Sequence, residues 1–413
     1  MSDARERAIL EAAREEQDAA VELLRELVRT PSPSGDEGRI VALIRERMQA
    51  LAFDEVRIDA FGNVLGRVGD GRRTLAFDAH VDAVGVGDSQ AWAVDPYGGE
   101  LRDGIVYGRG AADQKGGMAA LVHAGALMRR LDLLRDTTVW IVGSVLEEDC
   151  DGLCWHYILS EGVLQPEAVV LTEPTDLQLY RGHRGRMEIE ATARGRAAHG
   201  SAPERGRNAI YRMAPVIEGI RRLADRLGDD PFLGRGSVTI SQVRSTAPSL
   251  CAVADSCTIH LDRRLTAGED DARALDQVRC IAADAGLGGD DVTIQVPEFR
   301  RPSHTGVVYP MRQYYPAWAM PEDDPLVRLG LRAREAVAGK PGRAGRWGFS
   351  TNGVATRGLH GVPTIGFGPG NEIHAHAPTD QCPAEHIGIA VAFYAALAAR
   401  FAGEMPPAGG DAE

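Results

Sequence analysis

Two adjacent carboxylates, Glu147 and Glu148, follow the apolar run Thr137–Leu146. A strand that ends in neighbouring glutamates can hold a metal ion with one carboxylate and move protons with the other. Carboxylates this close raise each other's pKa, so a nearby cation is needed to keep both ionised. The pair therefore favours a metal-dependent hydrolase, although an acidic pair after a strand is, taken alone, more often a solvated turn.

Four further segments carry side chains that can bind metals, and most of these segments end a predicted strand. In open α/β sheets, ligands bind at the carboxyl ends of the strands, so such segments can converge. Taken singly, each has an ordinary structural interpretation, such as a buried His–Asp pair, a helix N-cap or a Glu-Pro turn. Imidazoles and carboxylates together suit zinc, cobalt or manganese. The side chains are His80, Asp82, Asp113, Glu173, His374 and His376.

The sequence offers two weaker alternatives. The turn beginning at Gly108 resembles a dinucleotide-binding loop, but Asp113 occupies the position of the third glycine in GxGxxG, and a P-loop is also lacking. Cys150, Cys154 and His156 could begin a zinc knuckle, but a second ligand pair is missing. Neither alternative competes with the hydrolase interpretation.

Composition limits the partners and the compartment. The chain has 413 residues and a formal net charge of −13, which disfavours binding to nucleic acid or to an anionic membrane. The stretch Ile387–Phe401 is short for a membrane span and contains Arg400, so we expect a buried helix there. A charged N-terminus and six cysteines without a CxxC pair predict a cytoplasmic protein with reduced thiols.

Strands alternate with helices up to about residue 184, which predicts an α/β layer with a mostly parallel central sheet. From about Gly185 the pattern becomes β-α-β-β-α-β, the order of a ferredoxin-like α+β domain. Residues that could do chemistry resume after this segment. We therefore predict a discontinuous catalytic domain, 1–184 plus 299–413, with an inserted domain at 185–298.

The order of the motifs along the chain, together with the residues that flank them, identifies a family more specifically than any single motif does. They resemble the M20 family of metallopeptidases and amidohydrolases, which includes acetylornithine deacetylase, succinyl-diaminopimelate desuccinylase, aminoacylases and glutamate carboxypeptidase. The resemblance spans nearly the whole chain and implies a zinc-peptidase-like catalytic domain with an inserted lid and dimerisation domain. The matching motifs are His80-x-Asp82, Gly110-x-x-Asp113-x-Lys-Gly-Gly, Glu147-Glu148, Glu173-Pro174 and Ala375-His376-x-Pro378.

Carried over to this chain, the family pattern implies a site for two divalent ions, Zn²⁺ or else Co²⁺ or Mn²⁺. One ion would bind His80 and Glu173, the other would bind Glu148 and His376, and Asp113 would bridge them. Such ions activate a shared water molecule for attack.

The resemblance also implies roles outside the ligand set. Glu147 would be the general base, and Asp82 would orient a metal-binding imidazole. In the inserted domain, His199 resembles a residue that crosses to the partner's site in dimeric relatives and stabilises the oxyanion, and Asn208 follows in the matching position. Arg264 matches an arginine that grips a substrate carboxylate, with a solvent-facing arginine as the alternative.

The chain departs from the family pattern at several positions. Gln114 replaces a frequent Met, Pro248-Ser-Leu-Cys-Ala-Val replaces a segment with an Asn, and Asn352 lies near a frequent Asp. Sequence segments such as Ser249-Leu-Cys-Ala-Val and Ala317-Trp-Ala-Met-Pro are similar to segments of the family branch labelled selenium-metabolism-linked hydrolases. That label does not define a reaction. These departures bear on substrate identity.

Together these features predict a homodimeric hydrolase of an amide bond next to a free carboxylate. The expected substrates are small molecules, namely N-acyl or N-carbamoyl amino acids or short peptides. Glu173, where family aminopeptidases tend to have Asp, favours deacylase or carboxypeptidase action. The alternatives are a dipeptidase with the same machinery and a catalytically silent binding or regulatory relative.

Overall fold

The structure of the protein, a computed structural model, describes residues 2–406. The ends of the predicted catalytic domain, residues 1 and 407–413, lie outside the described residues. The α-helices are α1 (Asp3–Val28), α2 (Gly38–Ala50), α3 (Gly116–Arg130), α4 (Leu153–Ser160), α5 (Ala209–Ala224), α6 (Asp271–Asp284), α7 (Pro325–Ala338) and α8 (Ala384–Glu404). The strands are β1 (Glu55–Ile58), β2 (Val64–Val68), β3 (Arg73–His80), β4 (Glu100–Arg102), β5 (Ile105–Tyr107), β6 (Thr137–Ser144), β7 (Ala168–Leu171), β8 (Leu179–Tyr180), β9 (Gly182–His183), β10 (Gly185–Arg194), β11 (Asp229–Asp230), β12 (Gly234–Arg235), β13 (Ser237–Thr246), β14 (Ser256–Leu265), β15 (Val292–Gln295), β16 (Glu298–Phe299), β17 (Met311–Arg312), β18 (Tyr314–Tyr315), β19 (Trp318–Ala319), β20 (Ala344–Gly345), β21 (Thr364–Gly366) and β22 (Gln381–Pro383).

The central sheet has the strand order β1-β2-β6-β3-β7-β21-β8-β20. Its middle strands β6, β3, β7 and β21 run parallel to one another, whereas β1 and β2 are antiparallel additions at one edge. β6 and β7 are buried along their whole length, as expected for parallel strands covered on both faces. The prediction of an α/β layer with a mostly parallel sheet is confirmed.

Helices α1, α3 and α8 pack against one another, α7 packs against α8, and α3 and α8 also contact β3 and β6. The predicted buried C-terminal helix is confirmed, but the argument from its length was wrong. α8 has 21 residues and is long and apolar enough to cross a membrane, yet 72% of its most apolar window is buried inside the protein. Burial against neighbouring helices therefore accounts for its apolar character.

The inserted segment forms a second, antiparallel sheet with the strand order β13-β14-β10-β15. Apart from the two-residue strands β11 and β12 after α5, the elements follow in the order β10, α5, β13, β14, α6 and β15, so the topology is ferredoxin-like. Buried and partly exposed residues alternate along β10 and β14, with apolar side chains such as Ile189 and Leu261 facing the helices. The opposite face of these strands is polar.

The two sheets have separate hydrophobic cores. Where the chain enters and leaves the inserted segment, β9 pairs with β19. β18 lies beyond the predicted boundary at residue 298 but adds to the second sheet by pairing with β10. The polar face of β10 and β14 is thereby held near the carboxyl edge of the central sheet.

Candidate metal centre

The carboxyl ends of three neighbouring parallel strands bring the first site residues together. His80 is the last residue of β3, which lies between β6 and β7. Glu147 and Glu148 follow β6, and Glu173 follows β7. Parallel strands end at the same edge of a sheet, so residues far apart in sequence meet there.

Asp113 and His376 reach this edge from loops. Asp113 lies in the turn Ala111–Lys115 that precedes α3, and it is buried. His376 lies between β21 and β22 and has a positive φ of 59°. His374, the other candidate in that segment, instead contacts Gln381 and Thr379.

Asp113 lies between two imidazoles. His80 Nε2 is 2.9 Å from Asp113 Oδ1, and His376 Nε2 is 3.4 Å from Asp113 Oδ2. His80 Nε2 is also 3.7 Å from Glu173 Oε1, and His376 Nε2 is 2.8 Å from Glu148 Oε2. Each imidazole thus shares Asp113 and has one glutamate of its own, the arrangement that a bridging carboxylate requires.

Glu147 lies at the same cluster, with Oε2 4.0 Å from His80 Nε2. Ligand atoms of His80, Glu147 and Glu173 lie within 4.8 Å of one another, as do those of His80, Asp113 and Glu148. Glu147 is therefore near enough to serve either as a ligand or as a base, and its assignment as the base stays a prediction.

Burial and charge shift the titration of these groups. Burial raises the pKa of the Glu147 carboxyl well above its usual range, and the nearby Glu173 adds to the rise. For Asp113, burial acts in the same upward direction, but hydrogen bonds from His376 and His80 hold its pKa below the ordinary value. Hydrogen bonds to Asp113 and Glu148 raise the pKa of His376 to about 10. A positive charge at the cluster would favour ionisation of all its carboxylates.

The residues present fit divalent metal ions. One oxygen each of Glu147, Glu148 and Glu173 is buried without a hydrogen-bond partner among the described residues. Unpaired buried carboxylate oxygens are costly unless a cation coordinates them. Oxygen and imidazole donors without a thiolate match catalytic zinc, cobalt or manganese sites.

Asp82 supports the cluster in two ways. Its backbone carbonyl accepts a hydrogen bond from His80 Nδ1 at 3.0 Å, whereas its carboxylate lies 3.6 Å from that nitrogen. The carboxylate instead accepts hydrogen bonds from the backbone N–H groups of Glu147 and Glu148, at 3.2 and 3.1 Å. Ser34 donates a further bond at 2.7 Å. Asp82 therefore orients the imidazole through its main chain and holds the glutamate turn through its side chain.

Two supporting carboxylates did not emerge from the sequence. Glu37 is fully buried and accepts from the N–H of Leu146 at 3.1 Å. Asp380 accepts from the N–H groups of Gly110 and Ala112, at 2.7 and 2.9 Å, and from Arg109 at 3.1 Å. The acidic residue four positions after His376 was a usable signal for Asp380, but nothing local marks Glu37.

The cluster opens into a cleft of about 410 Å³. Arg264 lines this cleft from β14 and pairs with Asp262 at 2.8 Å, so the structure brings it to the cluster as a candidate for binding substrate. Arg186, Asp151 and Glu372 also line the cleft, and no sequence motif marked them.

His199 and Asn208 do not line this cleft. His199 is exposed and contacts Ser201 at 2.7 Å. Asn208 caps α5 by accepting from the N–H groups of Ile210 and Tyr211. Among the described residues, their side chains contact only residues near them in sequence, and His199 also forms a backbone bridge with Ala252, so the roles predicted for His199 and Asn208 stay predictions.

The side chains of the possible zinc knuckle do not converge on one point. Cys150 contacts the Tyr315 hydroxyl and Cys154 contacts Asn352, while His156 pairs with His360. The zinc-knuckle residues therefore point to different partners. Asn352 also donates to Asp78 at 2.8 Å inside the core, which gives this departure from the family a structural role.

Comparison with known proteins gives a consistent result. Residues 76–400 match the family described as Peptidase family M20/M25/M40. Over 389 residues, the chain is 47% identical to the "Uncharacterized protein YgeY" of Escherichia coli (strain K12), covering 94% of this chain and 96% of that protein. It is 35% identical to a succinyl-diaminopimelate desuccinylase of Cereibacter sphaeroides over 215 residues, which cover 48% of this chain and 55% of the relative. The solved aminopeptidase PepT of Bacillus cereus is 20% identical with a TM-score of 0.70, covering 94% of this chain and 99% of that one, and so supports the fold alone.

Proposed function

The chain belongs to peptidase family M20/M25/M40, and we propose on that basis that it hydrolyses N-acyl or N-carbamoyl amino acids or short peptides with a free carboxylate. Membership makes it a hydrolase of amide or peptide bonds. The observation that carries the finer proposal is the cleft itself. Glu147 and the candidate metal ligands line this cleft together with Arg264, which belongs to the second sheet.

Glu147 is proposed as the general base. Its Oε1 has no hydrogen-bond partner among the described residues, so it is free to accept a proton from the attacking water and later donate it to the leaving nitrogen. Divalent ions bound by His80, Asp113, Glu148, Glu173 and His376 would supply Lewis acidity and lower the pKa of that water. Arg264 would hold the substrate carboxylate through a charge-assisted hydrogen bond.

A homodimer is the proposed active form. β13 forms an edge of the second sheet, and Val243 on it is 55% exposed. Tyr211 and Leu250 are also exposed apolar residues of the inserted domain. An unpaired edge strand with apolar neighbours is a surface that another copy can cover. In the proposed dimer, His199 of each subunit reaches the active site of the other subunit and acts there as an oxyanion donor.

The proposed compartment is the cytoplasm, in keeping with cysteines that form no disulfide among the described residues.

Dipeptidase action is the second candidate. Glu372 lines the cleft, and a carboxylate there can pair with the free α-amine of a dipeptide. An N-acyl amino acid has no such amine, so the two substrate classes use the cleft differently.

A substrate screen tests the proposal. Protein loaded with zinc, cobalt or manganese should hydrolyse N-acyl or N-carbamoyl amino acids, and chelation should abolish the activity. Turnover confined to unblocked dipeptides would favour the second candidate. No turnover of any of the three classes would contradict the proposed function.

A further inference from the structure

Two arginines face the cleft from directly opposed positions. Arg186 on β10 and Arg264 on β14 are paired in the antiparallel register. Directly opposed residues project from the same face of a sheet, and both arginines line the cleft. Two arginine side chains therefore leave the sheet at neighbouring positions and line the same cleft as the candidate metal ligands.

Like charges directly opposite one another destabilise a sheet. The positive charge of Arg264 is compensated by two hydrogen bonds that it donates to the Asp262 carboxylate, at 2.8 and 3.0 Å. The contacts of Arg186 are longer, because Glu188 and Asp151 each approach its guanidinium only to 3.4 Å. Its Nε is buried and faces Asp151 Oδ2 at 3.4 Å, as an ion pair without a hydrogen bond. Arg186 thus makes longer contacts with protein carboxylates than Arg264 does, and this leaves room for a shorter contact with a substrate carboxylate.

The position of Arg186 is nevertheless well defined. Its guanidinium lies 4.6 Å from the ring centroid of Tyr315, which is fully buried and pairs with Arg186 across β18. Its side chain is 20% exposed and lines the cleft. A stacked guanidinium loses little further freedom when it binds a ligand.

We propose that Arg186 is a second carboxylate-binding residue, which forms with Arg264 a two-arginine clamp for the free carboxylate of the substrate. The proposal rests on the proposed function and deepens it, since it makes the carboxylate a requirement for tight binding. A carboxylate has enough acceptor sites for two guanidinium groups, and its charge removes the repulsion between them. Neutral amides and esters at that end of the substrate are then disfavoured.

The experiment compares an acid with its amide. N-acetyl-L-alanine and N-acetyl-L-alaninamide are titrated calorimetrically into zinc-loaded Glu147→Gln protein, in which turnover does not interfere. The same titrations follow in Glu147→Gln/Arg186→Gln and in Glu147→Gln/Arg186→Lys. Arg212→Gln in the same background is the matched control, because Arg212 is an inserted-domain arginine whose side chain is 17% exposed, and it pairs with Asp291 outside the cleft.

If the two arginines form a clamp, the acid should bind more tightly than the amide. Arg186→Gln should weaken binding of the acid by roughly 10- to 100-fold, the range for a charge-assisted hydrogen bond. Binding of the amide should hardly change. Arg186→Lys should recover only part of the loss, because it keeps the charge without the planar fork. Arg212→Gln should leave the ratio of acid to amide affinity unaltered.

If Arg186→Gln weakened binding of the acid and of the amide equally, the two-arginine clamp would be overturned. Arg186 would then be a structural link between the domains. Failure of the acid to bind, or equal affinity for acid and amide before Arg186 is changed, would overturn the clamp as well. The proposed function is judged separately, from turnover of the same acid by protein with Glu147 intact.

Discussion

Glu147 and Glu148 show how much depends on the environment of a side chain. They are adjacent in sequence, yet Glu148 contacts His376 at 2.8 Å while Glu147 turns towards His80 at 4.0 Å. These contacts agree with the proposed role of Glu148 as a metal ligand and of Glu147 as the general base. The backbone N–H groups of both residues are held by Asp82, so the difference lies in their side-chain directions.

Exchanging Glu147 for Gln should lower kcat by roughly 10²- to 10⁴-fold, the usual contribution of a general base. The amide is close in size but cannot accept and return the proton. Metal content, measured by mass spectrometry of the protein, should persist because the five candidate ligands are untouched. Loss of metal together with activity would instead identify Glu147 as a ligand.

Asp82 is expected to matter through the turn that it holds. Asp82→Asn should reduce kcat/KM by roughly 10- to 100-fold, as for other residues that support metal ligands, because the amide group cannot accept both backbone bonds. Ser34→Ala is the matched control, since it removes only the hydroxyl bond to Asp82. A larger effect of Ser34→Ala than of Asp82→Asn would contradict this assignment.

Among the elements, the paired strands β9 and β19, where the chain enters and leaves the inserted segment, are joined by a buried histidine. His183 Nε2 accepts from the indole N–H of Trp318 at 2.7 Å and from the N–H of Thr351 at 3.1 Å, while Nδ1 donates to the carbonyl of Arg184. Accepting at one nitrogen and donating at the other requires the neutral imidazole. Burial lowers the pKa of His183 to about 4.

This burial predicts a pH-dependent stability. As the pH falls from the ordinary histidine pKa of 6.5 towards 4, the unfolded chain takes up a proton that the folded chain does not. The free energy of unfolding should therefore decrease over this window, by at most roughly 3 kcal/mol from this residue. Urea denaturation at about pH 5 and about pH 7 measures the effect. His183→Gln should show a smaller difference between the two pH values, and an unchanged difference would count against His183 as the cause.

At the scale of the whole molecule, we propose a dimer in which each subunit supplies a residue to the active site of the other. His199 lies outside the cleft of its own chain, and the exposed edge strand β13 belongs to the same domain. Function then depends on a contact between two copies, which can be tested by mixing inactive variants.

Glu147→Gln and His199→Ala proteins should each be impaired, and co-expression of the two should restore activity. In a mixed dimer, the site with intact Glu147 receives an intact His199 from its partner, so random pairing should give roughly a quarter of wild-type activity. Sedimentation analysis verifies that the mixed protein is dimeric. If His199 acted within its own chain, the mixture would gain nothing over its components.

Much of the architecture could be predicted because it depends on local patterns. The alternation from Met187 onward predicted a half-buried strand, since apolar residues at every second position must share one face. The motif order predicted the residues that meet at the carboxyl edge of the sheet. For α8, composition alone did not distinguish a membrane span from a core helix, because only the packing of its neighbours decides which surroundings cover it.

Periodicity over a few residues was enough to predict the α/β sheet with its inserted ferredoxin-like segment, and side-chain chemistry was enough to predict the types of the candidate ligands. The family was predicted from the resemblance of the ordered motifs to those of known proteins. Three contacts became visible only once the chain was folded: Asp82 grips the glutamate turn, Asp380 holds the loop of Asp113, and Arg186 stands opposite Arg264. Such contacts join positions up to 271 residues apart, and their partners are selected by how the strands align and pack.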